Sequence, residues 1–95
     1  MADPATVRKL KKIKPDLVRR YRLSRLAVFD PATLPEAGPA SIGILVDFEE
    51  TPSLFDVSKL QNDLNDQLEV KVYLAVKGMI QPHWEDAMED QAVDI

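Results

Sequence analysis

Apolar residues recur along the chain with two periods, and the periods divide it into elements. Val7, Leu10, Ile13, Leu17 and Val18 fall at three- and four-residue spacings, which predicts an N-terminal helix. Pro15 lies inside that run; it removes one amide donor and crowds the preceding turn, so a break or kink near Lys14 is expected. On that reading Pro15 starts a second helical piece.

Residues 26–29, "LAVF", form a short apolar run expected as a buried strand. In "SIGILVDF", residues 41–48, Ile42, Ile44, Val46 and Phe48 share one face of a strand, and Ser41, Gly43, Leu45 and Asp47 share the other. The period lengthens again over residues 51–68. Thr51 suits an N-cap, Pro52 the first helical position, and Leu54, Val57, Leu60, Leu64 and Leu68 make a stripe. Residues 69–76, "EVKVYLAV", predict a third strand that Gly78 ends, and Gln81-Pro82 opens a last helix with Trp84, Ala87 and Met88 facing inward.

The implied order is helix, strand, loop, strand, helix, strand, helix. That gives an α/β (α+β) domain spanning residues 1–95: a small mixed sheet of three or more strands, with about four helices mainly on one face. The short link between the first two strands favours an antiparallel pair, and the helical link to the third favours a crossover.

Composition narrows the chemistry. The chain has no cysteine and a single histidine, His83, which excludes a thiol nucleophile, a cysteine zinc site and a histidine-pair metal site. The residues open with no charged-then-apolar leader, and no apolar run approaches the length of a membrane span. A cytoplasmic protein without a membrane partner is therefore expected.

The net charge of −4 hides an asymmetry: residues 1–25 carry +7 and the remainder −11. The basic segment, about 1–22, offers Arg8, Lys9, Lys11, Lys12, Arg19 and Arg20 as partner-binding candidates. They would face nucleic-acid phosphates, an acidic protein, or the acidic C-terminal stretch of another copy; a solvated helix face is the plainer reading.

Several strings in order resemble the minimal nucleotidyltransferase domain of the polymerase-beta-like superfamily. They are "RLAVF", "ILVDF", "SLFDVSKLQNDL", "LEVKVYL" and the closing "AVDI". Active members of that family would need magnesium and ATP. A Gly-Ser turn after the first strand, with an arginine three residues on, holds the triphosphate. An Asp-x-Asp on the second strand and an aspartate on the third hold two magnesium ions.

Laid on that pattern, the Gly-Ser positions fall on Asp30 and Pro31 and the arginine position on Leu34. The Asp-x-Asp falls on Ser41 and Gly43, flanking Ile42, and the third aspartate on Tyr73. No catalytic, cofactor-binding or metal-binding residue of the family carries over. Asp47 shares the strand face of Gly43 but lies roughly 13 Å along it, beyond the separation of paired metals. Asp30 and Glu36 are the only loop acids placed to replace the lost set, and Asp30, Asp47, Glu49, Glu50 and Asp56 make a loose acidic rim.

His83 and Trp84 read as an exposed helix-start residue and a core or interface residue, and Tyr73 as packing. The resemblance thus implies a catalytically inactive, interaction or regulatory module. Its partner would be a HEPN-domain protein, as in toxin–antitoxin pairs, or another copy of itself. An active transferase with rearranged acids is the alternative, and a nucleic-acid-binding module through residues 8–25 a second.

Overall fold

The computed structural model describes residues 4–31, 38, 40–79 and 90–95. Helix α1 (Pro4–Tyr21) leads into strand β1 (Leu23–Phe29), and β2 (Ile42–Phe48) follows. Helix α2 (Leu54–Leu68), β3 (Val72–Val76) and a two-residue β4 (Val93–Asp94) complete the order. The strands form one mixed sheet ordered β3-β2-β1-β4. As expected from the connections, β1 and β2 are antiparallel and β2 and β3 are parallel, with α2 as the crossover.

The larger core lies between the helices and one sheet face. Leu10 and Leu17 of α1, Leu60, Leu64 and Leu68 of α2, and Ile42, Ile44 and Val46 of β2 are all buried there. A register shift between Leu23 and Arg25 brings Leu23 and Leu26 to this same side despite their odd spacing. The opposite face holds a smaller cluster of Ala27, Phe29, Leu45 and Ala75, with Tyr73 and Ala92 against it.

Three expectations are corrected. First, the described residues contain two helices rather than about four. Pro15 does not split α1, which runs unbroken for 18 residues. Leu10 and Leu17, on either side of it, are both fully buried, so core packing holds the two halves in one helix. The helix expected after Gln81-Pro82, with His83 and Trp84, lies outside the described residues.

Second, α2 is capped by Ser53, not Thr51. Ser53 Oγ accepts from the Asp56 amide at 3.1 Å, and Asp56 Oδ2 accepts from the Ser53 amide at 3.2 Å. That reciprocal pair satisfies two end donors, and Thr51 lacks an acid three residues on. Starting there, the stripe begins at half-buried Val57, and Leu54 is exposed.

Third, β3 starts at Val72 rather than Glu69, because Glu69 takes a left-handed conformation (φ 55°) that ends α2.

The outer edge of β3 is met by its own chain at both ends. The Val72 amide donates to Asn65 Oδ1 at 2.9 Å, and the Val72 carbonyl accepts from Gln61 Nε2 at 2.7 Å. At the other end the Val76 carbonyl accepts from the Met79 amide at 3.0 Å.

A charged knot ties α1 to α2. Asp63 Oδ2 accepts from Arg20 Nη2 at 2.7 Å and from the Tyr21 hydroxyl. Burial, helped by the Asp63 carboxylate, pushes the Tyr21 phenol up to about 12 from 10.0. The neutral phenol is the favoured form in the fold. Its contribution is complete below pH 10 and is lost as pH rises toward 12. Ultraviolet titration is expected to show one tyrosine ionising near 12, and Asp63→Asn should lower that value.

Candidate functional site: a sheet face closed by aromatics

The positions singled out in the sequence meet at one place on the smaller face of the sheet. Register sets Phe29 of β1 beside Gly43 of β2, and Gly43 beside Tyr73 of β3. The three form a row across adjacent strands. Ser41 lies two residues from Gly43, exposed, with its amide bonded to the Lys71 carbonyl at 2.8 Å.

The middle of the row has to be glycine. A Cβ on Gly43 would sit 2.5 Å from Cε2 of the Phe29 ring and within 2.7 Å of two more ring carbons. No real Cβ tolerates that approach, so Phe29 lies directly over the Gly43 backbone. The ring then meets Tyr73 edge to face, with centroids 6.3 Å apart and planes at 85°, a preferred aromatic geometry. Phe29 is 4% exposed.

Phe29 is the residue that sequence reasoning missed. A signal existed: an isolated glycine inside a strand marks close approach by a neighbour.

The preceding turn is similarly committed. The Asp30 amide donates to Gln91 Oε1 at 3.3 Å, and Pro31, which has no amide hydrogen, is buried. Leu34 and Glu36 lie outside the described residues. Asp47 and Asp56 sit away from the row, on the rims of grooves at the other end of β2. Among the described residues no three His, Cys, Asp or Glu side chains converge as a metal site.

The basic candidates divide. Lys9 pairs with Glu69 at 3.4 Å, Arg19 with Asp16 at 3.5 Å, and Arg20 with Asp16 and Asp63 at 3.1 and 2.7 Å. Arg8, Lys11 and Lys12 are exposed and have no ion pair with the described residues. Part of the acidic C-terminal stretch is used within the chain: Asp94 pairs with Arg25 at 2.8 Å, and Lys14 donates to the Ile95 main-chain oxygen. No described helix is long and apolar enough to cross a membrane.

No family model matches the chain. Two proteins of Methanocaldococcus jannaschii do, each named as a protein adenylyltransferase. "Putative protein adenylyltransferase MJ0126" is 34% identical over 88 residues, covering 90% of each chain. "Putative protein adenylyltransferase MJ0128" is 33% identical over 86 residues, covering 88% of each. The chain belongs to the minimal nucleotidyltransferase family. A solved structure described as "Structure of putative minimal nucleotidyltransferase" superposes with a TM-score of 0.75 at 26% identity, covering 98% of this chain and 96% of that one.

The sheet register sets Gly43 beside Tyr73, with Ser41 two residues away, and these three positions, on which the resemblance would set carboxylates, hold a hydrogen, a phenol and a hydroxyl. A magnesium ion asks for one or two carboxylates and leaves several coordination places to water and phosphate oxygens. A phenylalanine ring lying on Gly43 supplies neither charge nor room. These residues do not fit a metal-bridged triphosphate.

Proposed function

We propose that this minimal nucleotidyltransferase domain does not transfer nucleotides and serves as a protein-interaction or regulatory module. The observation that carries the reading is the Phe29–Gly43–Tyr73 row, packed where the family pattern would gather its acids. The turn before it supports the same reading. Pro31 lacks a donor and the Asp30 amide is engaged by Gln91, and each missing hydrogen bond to a phosphate forgoes roughly 1.5–3 kcal/mol. By analogy with its family, the partner would be a HEPN-domain protein in a toxin–antitoxin pair, or another copy of the chain. Residence in the cytoplasm is part of the same analogy.

Calorimetric titration with Mg-ATP is the direct test. The expected result is no saturable binding up to about 1 mM. Incubation with labelled ATP and a HEPN-domain protein should leave that protein unlabelled. Transfer of label to it would overturn the proposal and favour the second reading, an adenylyltransferase with a rearranged acid set. The names of the two Methanocaldococcus relatives are what recommend that alternative. The exposed cations Arg8, Lys11 and Lys12 keep nucleic-acid binding through residues 8–25 as a third reading, and such binding would weaken steeply with salt.

A further inference from the structure

The two edges of the sheet are covered unequally. Side chains and a turn amide meet the outer edge of β3, whereas among the described residues β1 has only β4 beside it. Strand β1 pairs with β2 at six positions and with β4 at two, Ala27 with Asp94 and Val28 with Val93. This two-residue strap is lightly held. Val93 is 61% exposed, and the Arg25–Asp94 ion pair lies at the surface, where such pairs contribute little. Past it, the Ile95 amide reaches the Leu26 carbonyl at 3.5 Å, long for a main-chain bond. Ile95 anchors the strap, packing against the larger core and accepting from Lys14 at its main-chain oxygen.

A cavity opens on each side of the strap. One, of about 420 Å³, lies by Val28, Phe29 and Asp30, and the other, of about 400 Å³, by Leu23, Ser24, Arg25 and Leu26. Helix α1 walls the first with Val7 and Lys11 and the second with Lys14 and Val18. Spacings of four, three and four residues put those side chains on one flank of the helix. Asp94 lines both cavities, so the strap divides a single trough between α1 and the β1 edge.

We propose that this trough takes an extended, acidic segment of a partner protein, which adds to the sheet antiparallel to β1 in place of β4. Strand addition draws affinity from main-chain hydrogen bonds and specificity from pockets for alternate side chains. Strand β4 shows the chemistry that fits: it runs antiparallel and sets a carboxylate against Arg25, and Ile95 after it sets an apolar side chain against the core. Charge selects the same occupant. Apart from Asp94, the charged groups lining the trough among the described residues are Lys11, Lys14, Arg25 and Asp30, a formal +2. A basic segment would meet three cations. A nucleic acid would meet the charge but has no peptide groups to pair with a strand edge. A second copy exchanging its β4 would trade two pairs for the same two, whereas a longer strand gains positions along residues 23–26. The inference rests on the reading of the protein as an interaction module and names the partner's chemistry.

The test titrates the full chain with a fluorescein-labelled peptide that alternates valine with aspartate and threonine. One control peptide carries lysine for aspartate, and another is N-methylated at alternate residues, which keeps the charge and removes the pairing amides. No nucleotide is present, so this experiment and the Mg-ATP titration can fail separately. The acidic peptide is expected to saturate, with amide shift changes concentrated at Leu23–Val28 and Val93–Ile95. The N-methylated peptide should bind at least about tenfold more weakly, since several hydrogen bonds are lost together. Asp94→Ala loosens the strap and should tighten binding about two- to fivefold, the range a surface ion pair covers. Lys11→Gln should weaken it several-fold and flatten its salt dependence. Both side chains are exposed, so circular dichroism should show the variants folded. Equal binding of either control peptide, an unchanged affinity in Asp94→Ala, or shifts gathered along β3 would overturn the proposal. So would a dimer in sedimentation that the acidic peptide dissociates, which would make the occupant a second copy.

Discussion

Gly43→Asp, which puts an acid where the resemblance sets one of the family's, is expected to destabilise the protein by about 2–6 kcal/mol. Two effects add. The new Cβ would lie 2.5 Å from Phe29 Cε2, and overpacking of that kind costs about 1–3 kcal/mol. The carboxylate would also be held at a buried position against an aromatic ring, and burying a polar group without a full set of partners costs about 1–3 kcal/mol more. Gly43→Ala isolates the first effect and should lose about 1–3 kcal/mol.

Urea unfolding of Gly43→Asp, Phe29→Ala and the double variant measures the coupling. Residues in contact normally couple by about 0.5–3 kcal/mol. The double variant should therefore be more stable than the two single losses predict, because the ring that obstructs the aspartate is gone. Additive losses would mean that the ring does not obstruct the site. A metal site is accordingly not one substitution away. Phe29 and Tyr73 would have to shrink or change before a carboxylate on β2 could reach an ion.

Pro15→Ala is expected to stabilise the protein by about 1–3 kcal/mol. Proline inside a helix is about 3 kcal/mol less favourable than alanine, since it lacks a donor for the carbonyl four residues back and its ring crowds that turn. Part of the gain is offset because proline also stiffens the unfolded chain. The site has room for the change: Pro15 is exposed, on the side of α1 away from Leu10 and Leu17. The midpoint of thermal unfolding should rise by several degrees, as a 60–100-residue domain shifts by about 4–8 °C per kcal/mol. A fall would show that Pro15 contributes something that the helix geometry does not reveal.

These residues also mark where the sequence is legible. The alternation in residues 41–48 and the Leu60–Leu64–Leu68 stripe are legible because Ile42, Ile44 and Val46 share one strand face, the three leucines share one helix face, and the structure buries both sets in one core. Pro15 misleads because a local rule about proline competes with two buried leucines whose common core is visible only in three dimensions. Leu54 misleads because it continues the stripe by period alone. The acid three residues after Ser53, absent after Thr51, identifies the true cap and with it the end of the stripe. Strand β4, at two residues, is too short to impose any period.

Within the site, Gly43 and Tyr73 could be placed from the family pattern. Phe29 could not, since its role depends on the antiparallel register that sets it beside Gly43. The groove at the start of α2 needed coordinates for a similar reason. Its residues come from the end of β2, the link before the α2 cap, the end of β3 and the turn after it, and only folding makes them neighbours.

The side-chain clasp on Val72 has a consequence for how molecules of this protein meet one another. Exposed rims of sheets invite neighbouring polypeptides to pair along them and, repeated, to build fibrils. Here Asn65 and Gln61 occupy the backbone groups at the start of β3, and Met79 occupies the carbonyl at its end. An incoming strand would have to displace three existing bonds before making its own. Crowded copies of the chain are thus denied an easy template on β3.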